Sequence, residues 1–352
     1  MTYCCEKCFK DTYIIKTIRQ NGTLGNCDFC SSKNIPVIDI SYSNPVSDMI
    51  IKLVQAYSVS EEENAKPIKE ALRDDWDIFN GGCEVILALV KSLCSKEIAE
   101  TNDIFTNKVI ISQMYDEDFQ HEFGLLRGFS WGEFSEYIKY NNRFHNAYFN
   151  NEEFASVLTY LRKEYNKGSV FYRARICSKP DGYKISEMYA PPKGLRKPGR
   201  INPEEIVVLY LSSNYETILY ETRANVYDYI TIGEFIAKRE LKLVDLSGFS
   251  QISPFAYEES FLESFAINRN VLHDISQEIS KPVRRHDSPF EYLPTQYISE
   301  FIKSQGYDGV AYESTIKKGS YNFALFDESL VECTKVNTVE IQSIEYKTDK
   351  VD

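Results

Sequence analysis

Residues 199–221 read GRINPEEIVVLYLSSNYETILYE, and this stretch organises the second half of the chain. Its middle, Val207–Leu211, is a short apolar run with turn formers on both sides, which predicts a buried strand. Ser213 and Glu216 then stand at the spacing of a capping box, so we expect a helix to begin there. That helix would carry Glu221 at or just past its second turn, which predicts a carboxylate close to the end of a buried strand.

A cationic loop precedes this strand. Residues 191–202 contain no acidic residue and four basic ones, Lys193, Arg196, Lys197 and Arg200. A basic loop and a carboxylate on either side of one strand could together bind a ligand that contains both a phosphate and a reacting sugar. A solvated basic loop beside a core strand would give the same pattern, so both interpretations stand at this point.

Composition narrows the class of protein. The chain has 352 residues, 43% of them hydrophobic, and a formal net charge of -12. It can therefore bury two or three cores, while its acidity argues against general nucleic-acid binding, which depends on a basic face. A local basic pocket for a small anion remains compatible with this charge. No apolar run approaches the ~20 residues that cross a bilayer, and no signal peptide is apparent, so we expect a cytoplasmic protein without membrane contact.

Four of the nine cysteines have the spacing of a zinc ribbon. Cys5 and Cys8 form one Cys-x2-Cys pair, and Cys27 and Cys30 form another after an interval of 18 residues. This pattern predicts a closed, tetrahedral and structural Zn2+ site, because so short a segment cannot build a core without one. Cys4 is the alternative to Cys5, although it would give an x3 spacing. Disulfides are not expected in a reducing compartment.

The region from residue 45 to residue 166 is predicted to be helical. Apolar residues recur at helical spacing in four stripes, at residues 49–57, 85–93, 131–138 and 154–161. Gly81 and Gly82 separate two of these helices, and the last helix is expected to end near Gly168.

The periodicity changes at about Ser169. Residues 170–175 alternate in character, which predicts a strand with one buried face. Further strands are expected at 207–211, 241–246, 310–312 and 323–326, and further helices at 214–224 and 295–305. This mixture predicts an α+β fold for the second half.

Several separated motifs in this half resemble the RES family, which is named for its Arg, Glu and Ser residues. The similar segments are FYRARI at 171–176, GRINPEEIVVLYLSSNYETILYETRA at 199–224, LKLVDLS at 241–247, YLPTQYISEFIKSQGYDGVAYEST at 292–315 and NFALFD at 322–327. They follow the family's order and spacing over about half the chain. The resemblance implies a toxin that cleaves NAD+ at the nicotinamide–ribose bond, on a fold similar to that of ADP-ribosyltransferases.

The resemblance also implies roles for six residues. The catalytic set is Arg200, Glu221 and Ser314, and the NAD+-binding set is Arg173, Tyr210 and Asn322. Glu221 would stabilise the positive charge that builds on the ribose as nicotinamide leaves, and the arginines suit bidentate phosphate contacts. Arg175 is the alternative to Arg173, since residues two apart face the same side of a strand. The sequence indicates no base beside Ser314, so we do not expect it to act as a nucleophile.

The predicted domain order is a zinc ribbon at 1–44, a helical domain at 45–166, the RES domain at 167–340 and a tail at 341–352. The helical region resembles N-terminal domains that are fused to some RES proteins and grouped loosely with HEPN domains. HEPN ribonucleases carry an Arg followed within several residues by a His on one helix. His121 has no arginine shortly before it, and Arg143 and His145 are only two apart. We therefore interpret the helices as a sensing, dimerising or regulatory module, not as an RNase.

The resemblance and the patterns together leave three functions open. The first is an NAD+-degrading toxin, in a toxin–antitoxin or anti-phage context, that passes ADP-ribose to water or to inorganic phosphate as co-substrate. The second is an ADP-ribosyltransferase that modifies a macromolecule, and the third is a non-catalytic module that senses NAD+ and binds a partner. By analogy, an antitoxin or the N-terminal half would restrain the enzyme, and self-association into a homo-oligomer is a further expectation.

Overall fold

The fold is a mixture of helices and sheets, as expected from the sequence. A computed structural model describes residues 1–94, 103–255, 262–281, 288–314, 317 and 319–344, apart from the side chains of residues 249–251. Within these ranges, none of the helices combines the length and the apolar character that crossing a bilayer requires.

Strands and helices alternate along most of the chain. The strands are β1 (Tyr3–Cys5), β2 (Thr23–Gly25), β3 (Ile35–Asp39), β4 (Ser58–Val59), β5 (Lys66–Pro67), β6 (Lys108–Ile110), β7 (Arg162–Tyr165), β8 (Val170–Cys177), β9 (Leu209–Ser212), β10 (Tyr229–Ala237), β11 (Leu241–Asp245), β12 (Gly309–Glu313), β13 (Tyr321–Leu325) and β14 (Val331–Glu340). The α-helices are α1 (Thr12–Asn21), α2 (Pro45–Gln55), α3 (Ile68–Trp76), α4 (Cys83–Leu93), α5 (Glu117–Phe123), α6 (Trp131–Tyr140), α7 (Asn151–Tyr160), α8 (Tyr215–Glu221), α9 (Leu262–Ser280) and α10 (Leu293–Ser304). Short 3-10 segments lie at Glu6–Cys8, Ser112–Tyr115, Ile185–Glu187, Leu246–Gln251, Pro289–Tyr292 and Glu328–Leu330.

The chain divides into two compact units. The first contains residues 1–128 and 251–270, and the second contains residues 129–250 and 271–352. The domain boundaries predicted at residues 44, 166 and 340 stay predictions.

The first unit packs helices with two small sheets, of strand order β1-β3-β2 and β4-β6-β5. The apolar stripes predicted for α2 and α4 are confirmed, because Ile50 and Leu53 on one helix and Ile86 and Leu89 on the other are buried in one core. Proline at the first position of α2 follows Asn44, whose side chain caps that helix.

The second unit is built on an eight-stranded sheet of order β14-β10-β8-β9-β13-β12-β11-β7. Strands β11 and β12 are parallel, and the other neighbouring pairs are antiparallel. Phe171, Phe235 and Phe323 lie in the core on this sheet together with Leu209 and Leu211. The strands predicted around residues 170, 209, 243, 311 and 323 are all present.

Two local predictions were wrong. The helix expected to end near Gly168 ends at Tyr160, because residues Arg162–Tyr165 pair with β11 as an edge strand and satisfy its backbone groups. The cap of α8 is Asn214, not Ser213: its Oδ1 accepts from the backbone N of Glu216 (2.8 Å) and of Thr217 (3.2 Å). The Ser213 hydroxyl instead accepts from the backbone N of Tyr321. Glu221 nevertheless ends up in the last turn of α8, as predicted.

Candidate active site

The sheet of the second unit has a gap between β8 and β9. These strands pair at one position only among the described residues, Tyr172 with Ser212. The next positions of an antiparallel ladder would set Arg173 opposite Leu211 and Ala174 opposite Tyr210. All four of these residues line a cavity of about 260 Å³ instead. The interrupted ladder therefore makes room for a ligand next to the strand that the sequence singled out.

Tyr210 lies where three cavities adjoin. The cavity at the gap also contains Glu221, Tyr312 and Asn322. A second cavity, of about 390 Å³, shares these residues and reaches Arg200 and the end of α9. A third, of about 380 Å³, extends from Arg173 under the cationic loop. We call these three adjoining cavities the groove. Five of the six predicted site residues line it, and the sixth, Ser314, contacts it through Glu221.

The Glu221 carboxylate is held through one of its two oxygens. Ser314 Oγ and Asn322 Nδ2 each donate to Oε1, both at 2.9 Å. Ser314 directly follows β12, and Asn322 lies on the neighbouring strand β13. Oε2 accepts no hydrogen bond from the described part of the chain. Glu221 is partly buried, so it is not the solvated helix glutamate that its position in α8 alone would suggest. The orientation leaves Oε2 to interact with a ligand.

Arg200 faces the same cavity as Glu221. It lies in a turn formed by residues 199–202, closed by a hydrogen bond from the backbone N of Gly199 to the carbonyl of Asn202 (2.9 Å). Its Nη1 donates to the carbonyl of Glu278 at 3.1 Å, and its guanidinium lies 5.0 Å from the ring centre of Tyr292. These contacts hold a cation at the cavity that Glu221 also lines.

Tyr210 is fixed by a chain of hydrogen bonds. Its hydroxyl donates to Asn202 Oδ1 at 2.7 Å, and Asn202 Nδ2 donates to the carbonyls of Lys197 and Pro203. A Cβ on Gly199 would lie 2.8 Å from Oδ1 and 2.9 Å from the hydroxyl, so this pair needs glycine at position 199. Burial raises the pKa of Tyr210, which keeps the hydroxyl protonated and able to donate at neutral pH.

Arg173 and Arg175 differ in their surroundings. Arg173 lines two of the cavities, and its buried Nη1 has no hydrogen-bond partner among the described residues. Burial, followed by repulsion from Arg175, lowers the pKa of Arg173 to about 10, so the group is still cationic at neutral pH. Arg175 donates to the carbonyl of Glu187 and stacks 4.1 Å from the ring centre of Tyr183. Of these two arginines, Arg173 is therefore the one that is placed to bind an anion in the groove.

Sequence reasoning missed several residues of the groove. Asn202 and Tyr312 lie inside quoted motifs, but nothing in their spacing indicated a contact with Tyr210 or a place beside Glu221. Burial, and then the charge of Glu221, raise the pKa of Tyr312. Arg223 and Lys281 also line the cavity, which adds two cations that no pattern had marked.

The four predicted zinc ligands form a cluster in the first unit. Their Sγ atoms all lie within 4.8 Å of one another. The separations are 3.3 Å for Cys5–Cys30, 3.5 Å for Cys8–Cys27 and 3.9 Å for Cys5–Cys8. A tetrahedral site with Zn–S bonds of about 2.3 Å has S–S edges of about 3.8 Å, so the cluster fits zinc. Cys4 is buried in the core and is not part of the cluster.

Comparison with known proteins agrees with the sequence motifs. Residues 170–349 match the sequence profile of the RES domain. The chain belongs to the RES family. Among solved structures, it is similar to a chain in the crystal structure of the M. tuberculosis MbcT–MbcA toxin–antitoxin complex, with 10% identity and a TM-score of 0.29, over 53% of this chain and 91% of that one. A search of curated proteins finds no match.

Removing the Tyr210 hydroxyl from this RES domain is expected to destabilise it. Tyr210→Phe leaves Asn202 Oδ1 buried without its donor, which should lower the free energy of unfolding by about 1–3 kcal/mol. Tyr312→Phe is the matched control, because the Tyr312 hydroxyl makes no hydrogen bond within the described ranges, and it should change stability by less than about 0.5 kcal/mol. Urea unfolding of the two variants measures the difference. Equal losses in both would show that the Tyr210–Asn202 bond has no special role.

Proposed function

We propose that the RES domain cleaves the bond between nicotinamide and ribose in NAD+, in a protein that acts as a toxin by depleting this dinucleotide. The observation that carries the proposal is the Glu221 carboxylate, held through Oε1 by Ser314 and Asn322, facing the same cavity as Arg200. A fixed acid and a fixed cation in one groove suit a ligand that has a reacting sugar and a phosphate group.

The chemistry requires little acid catalysis. The C1–N bond of the ribose breaks, and its electron pair passes to the nicotinamide ring, which leaves neutral. Positive charge develops on the ribose, and the Glu221 carboxylate stabilises it. An acceptor oxygen then bonds to C1 and loses its proton. Water gives ADP-ribose, and inorganic phosphate gives ADP-ribose 1″-phosphate.

The other site residues support this reaction by binding and orientation. Arg200 and Arg173 provide cations for the diphosphate, and the buried, unpartnered Nη1 of Arg173 would gain a hydrogen-bond acceptor on binding. Tyr210, which lines all three cavities, would pack against the nicotinamide riboside. Ser314 and Asn322 contact Glu221, so we assign them to holding the carboxylate.

Neutralising the carboxylate tests the proposal. Glu221→Gln should lower the rate of NAD+ loss by about 10²- to 10³-fold, because charge stabilisation in the transition state is lost. Glu216→Gln is the matched control on the same helix, since this side chain is 70% exposed and does not line the groove, and it should retain full activity. Arg200→Ala should weaken substrate binding, and Ser314→Ala should cause a smaller loss than Glu221→Gln.

The same assay distinguishes water from inorganic phosphate as the acceptor of ADP-ribose. Purified protein is incubated with labelled NAD+, with and without inorganic phosphate, and the products are resolved. Absence of NAD+ loss by the wild-type protein in both conditions would refute the proposed function. Label on protein or nucleic acid, with little free ADP-ribose, would identify an ADP-ribosyltransferase instead. An unaltered cellular phenotype of Glu221→Gln would favour a non-catalytic NAD+-sensing module.

We also propose that the four-cysteine cluster binds a structural Zn2+ in a zinc ribbon. Cys5, Cys8, Cys27 and Cys30 would each supply a thiolate, and the closed set leaves no coordination position for water. The spacing of their sulfur atoms supports this proposal.

Metal analysis checks the zinc site with a neighbouring cysteine as control. The wild-type chain should carry about one zinc, and Cys5→Ser should lose most of it and unfold the ribbon, because metal binding contributes directly to folding. Cys4→Ser, one residue away and equally buried, should keep the metal. Equal zinc content in all three proteins would contradict the assignment.

Restraint of the activity belongs to the same proposal. An enzyme that destroys NAD+ in the cytoplasm must be inhibited in its own cell, by an antitoxin or by its N-terminal half. We infer that the HEPN-like helices serve this restraint or respond to a trigger such as phage infection. An ADP-ribosyltransferase-like fold for the RES domain is part of the same inference.

A further inference from the structure

The turn that carries Arg200 has carbonyl groups that belong to no strand ladder and to no helical hydrogen-bond pattern. Residues 199–202 lie outside the regular elements, and the turn is closed internally by a single backbone hydrogen bond, from Gly199 to Asn202. Buried carbonyls need partners. The position of Arg200 therefore depends on the groups that bind these carbonyls.

The partners come from the first turn of α10. Gln296 Nε2 donates to the carbonyl of Gly199 at 2.8 Å and to that of Asn202 at 3.0 Å, so one amide group joins both ends of the turn. Thr295 Oγ1 lies 2.8 Å from the carbonyl of Arg200 itself. Gln296 is 6% exposed and Thr295 is 2% exposed, so water does not compete effectively for these bonds.

The chemistry of this contact is specific to the amide. A primary amide has two N–H donors on one nitrogen, which lets it bridge two carbonyls, whereas a carboxylate at the same place could only accept. The amide also stands on a rigid support, because Ile298 and Ile302 of α10 are fully buried. A side chain fixed in this way can hold a loop in one position.

We propose that Gln296 is a positioning residue for the Arg200 turn and that Thr295 assists it at the adjacent carbonyl. The inference rests on the proposed function, since it assigns Gln296 an effect on NAD+ cleavage that is exerted through the position of Arg200. Misplacement of a binding group by about 1 Å can lower a rate about 100-fold, so a defect in this contact should appear in catalysis before it appears as global unfolding.

A double-mutant cycle tests this route. Gln296→Met keeps the length of the side chain and removes both donors. It should lower kcat/KM for NAD+ by about 10- to 100-fold, mainly through KM. In the Arg200→Ala background the same substitution should lower kcat/KM by less than about twofold, because the turn then carries no guanidinium to position. The same factor in both backgrounds, or no loss in either, would overturn the proposal.

Ser299→Ala is the matched control for a change within α10. Ser299 is 1% exposed, lies one turn further along the helix, and its hydroxyl has no hydrogen-bond partner in the described structure. This variant should keep the wild-type kcat/KM. If Gln296→Met does not fold, Thr295→Val removes the hydroxyl, which lies 2.8 Å from the carbonyl of Arg200 and 2.9 Å from that of Tyr292. A loss of at least about threefold is expected from it; no loss would overturn the proposal.

Hydrogen exchange provides a readout that does not depend on catalysis. The amide of Gly199, which donates to the carbonyl of Asn202, should exchange at least about tenfold faster in Gln296→Met than in the wild type or in Ser299→Ala, because the turn is no longer held. If the wild-type protein fails to cleave NAD+ but the exchange rates of the variants differ in this way, the proposed function is refuted and the positioning role is retained. Unchanged exchange would overturn the positioning role whatever the activity.

Discussion

The site depends on the two hydrogen bonds that Ser314 and Asn322 donate to Oε1 of Glu221. A glutamate in the last turn of a short helix would otherwise sample many rotamers, and its charge would face water. Two neutral donors on one oxygen restrict the side chain and leave the second oxygen without a hydrogen bond from the described residues. The donors come from the residue that follows β12 and from β13, and the register of these two strands sets Tyr312 opposite Asn322, so the orientation of the carboxylate depends on the sheet.

The groove exists because this sheet is incomplete between β8 and β9. A continued ladder would have filled the gap with paired backbone, and Arg173 and Tyr210 would have been ordinary strand residues. Instead, the gap gives both side chains access to a ligand. The Tyr210–Asn202 bond then ties the strand to the cationic loop, and the absence of a side chain on Gly199 makes that bond sterically feasible. The shape of the groove and the position of the cationic loop therefore both depend on contacts of Tyr210.

Much of this arrangement could be predicted from the sequence. Apolar runs and periodicity located the strands around residues 209, 243, 311 and 323 and the helices α2, α4 and α10, because burial of apolar side chains leaves a local pattern. The spacing of a capping box located α8, although the cap is Asn214. The cysteine spacing selected four residues whose sulfur atoms do cluster. The motifs of the second half were sufficient to identify the RES family, and the residues they marked lie around one groove.

The rest could not be predicted, because it depends on contacts between distant segments. Choosing Asn214 over Ser213 as the helix cap required knowing that Ser213 is bonded to Tyr321. The edge strand at 162–165 is too polar to show a period, and it forms because β11 offers an unpaired edge. Gln296 lies inside a quoted motif, yet its contact with a turn almost a hundred residues earlier has no local signature.

The most direct measurement of the central claim is a crystal structure of the Glu221→Gln variant soaked with NAD+, in which a slowed reaction preserves the substrate. The account predicts the nicotinamide ribose within about 3 Å of residue 221, with the diphosphate at Arg200 or Arg173. A dinucleotide bound outside the groove, or bound in it with the nicotinamide ribose turned away from residue 221, would contradict it.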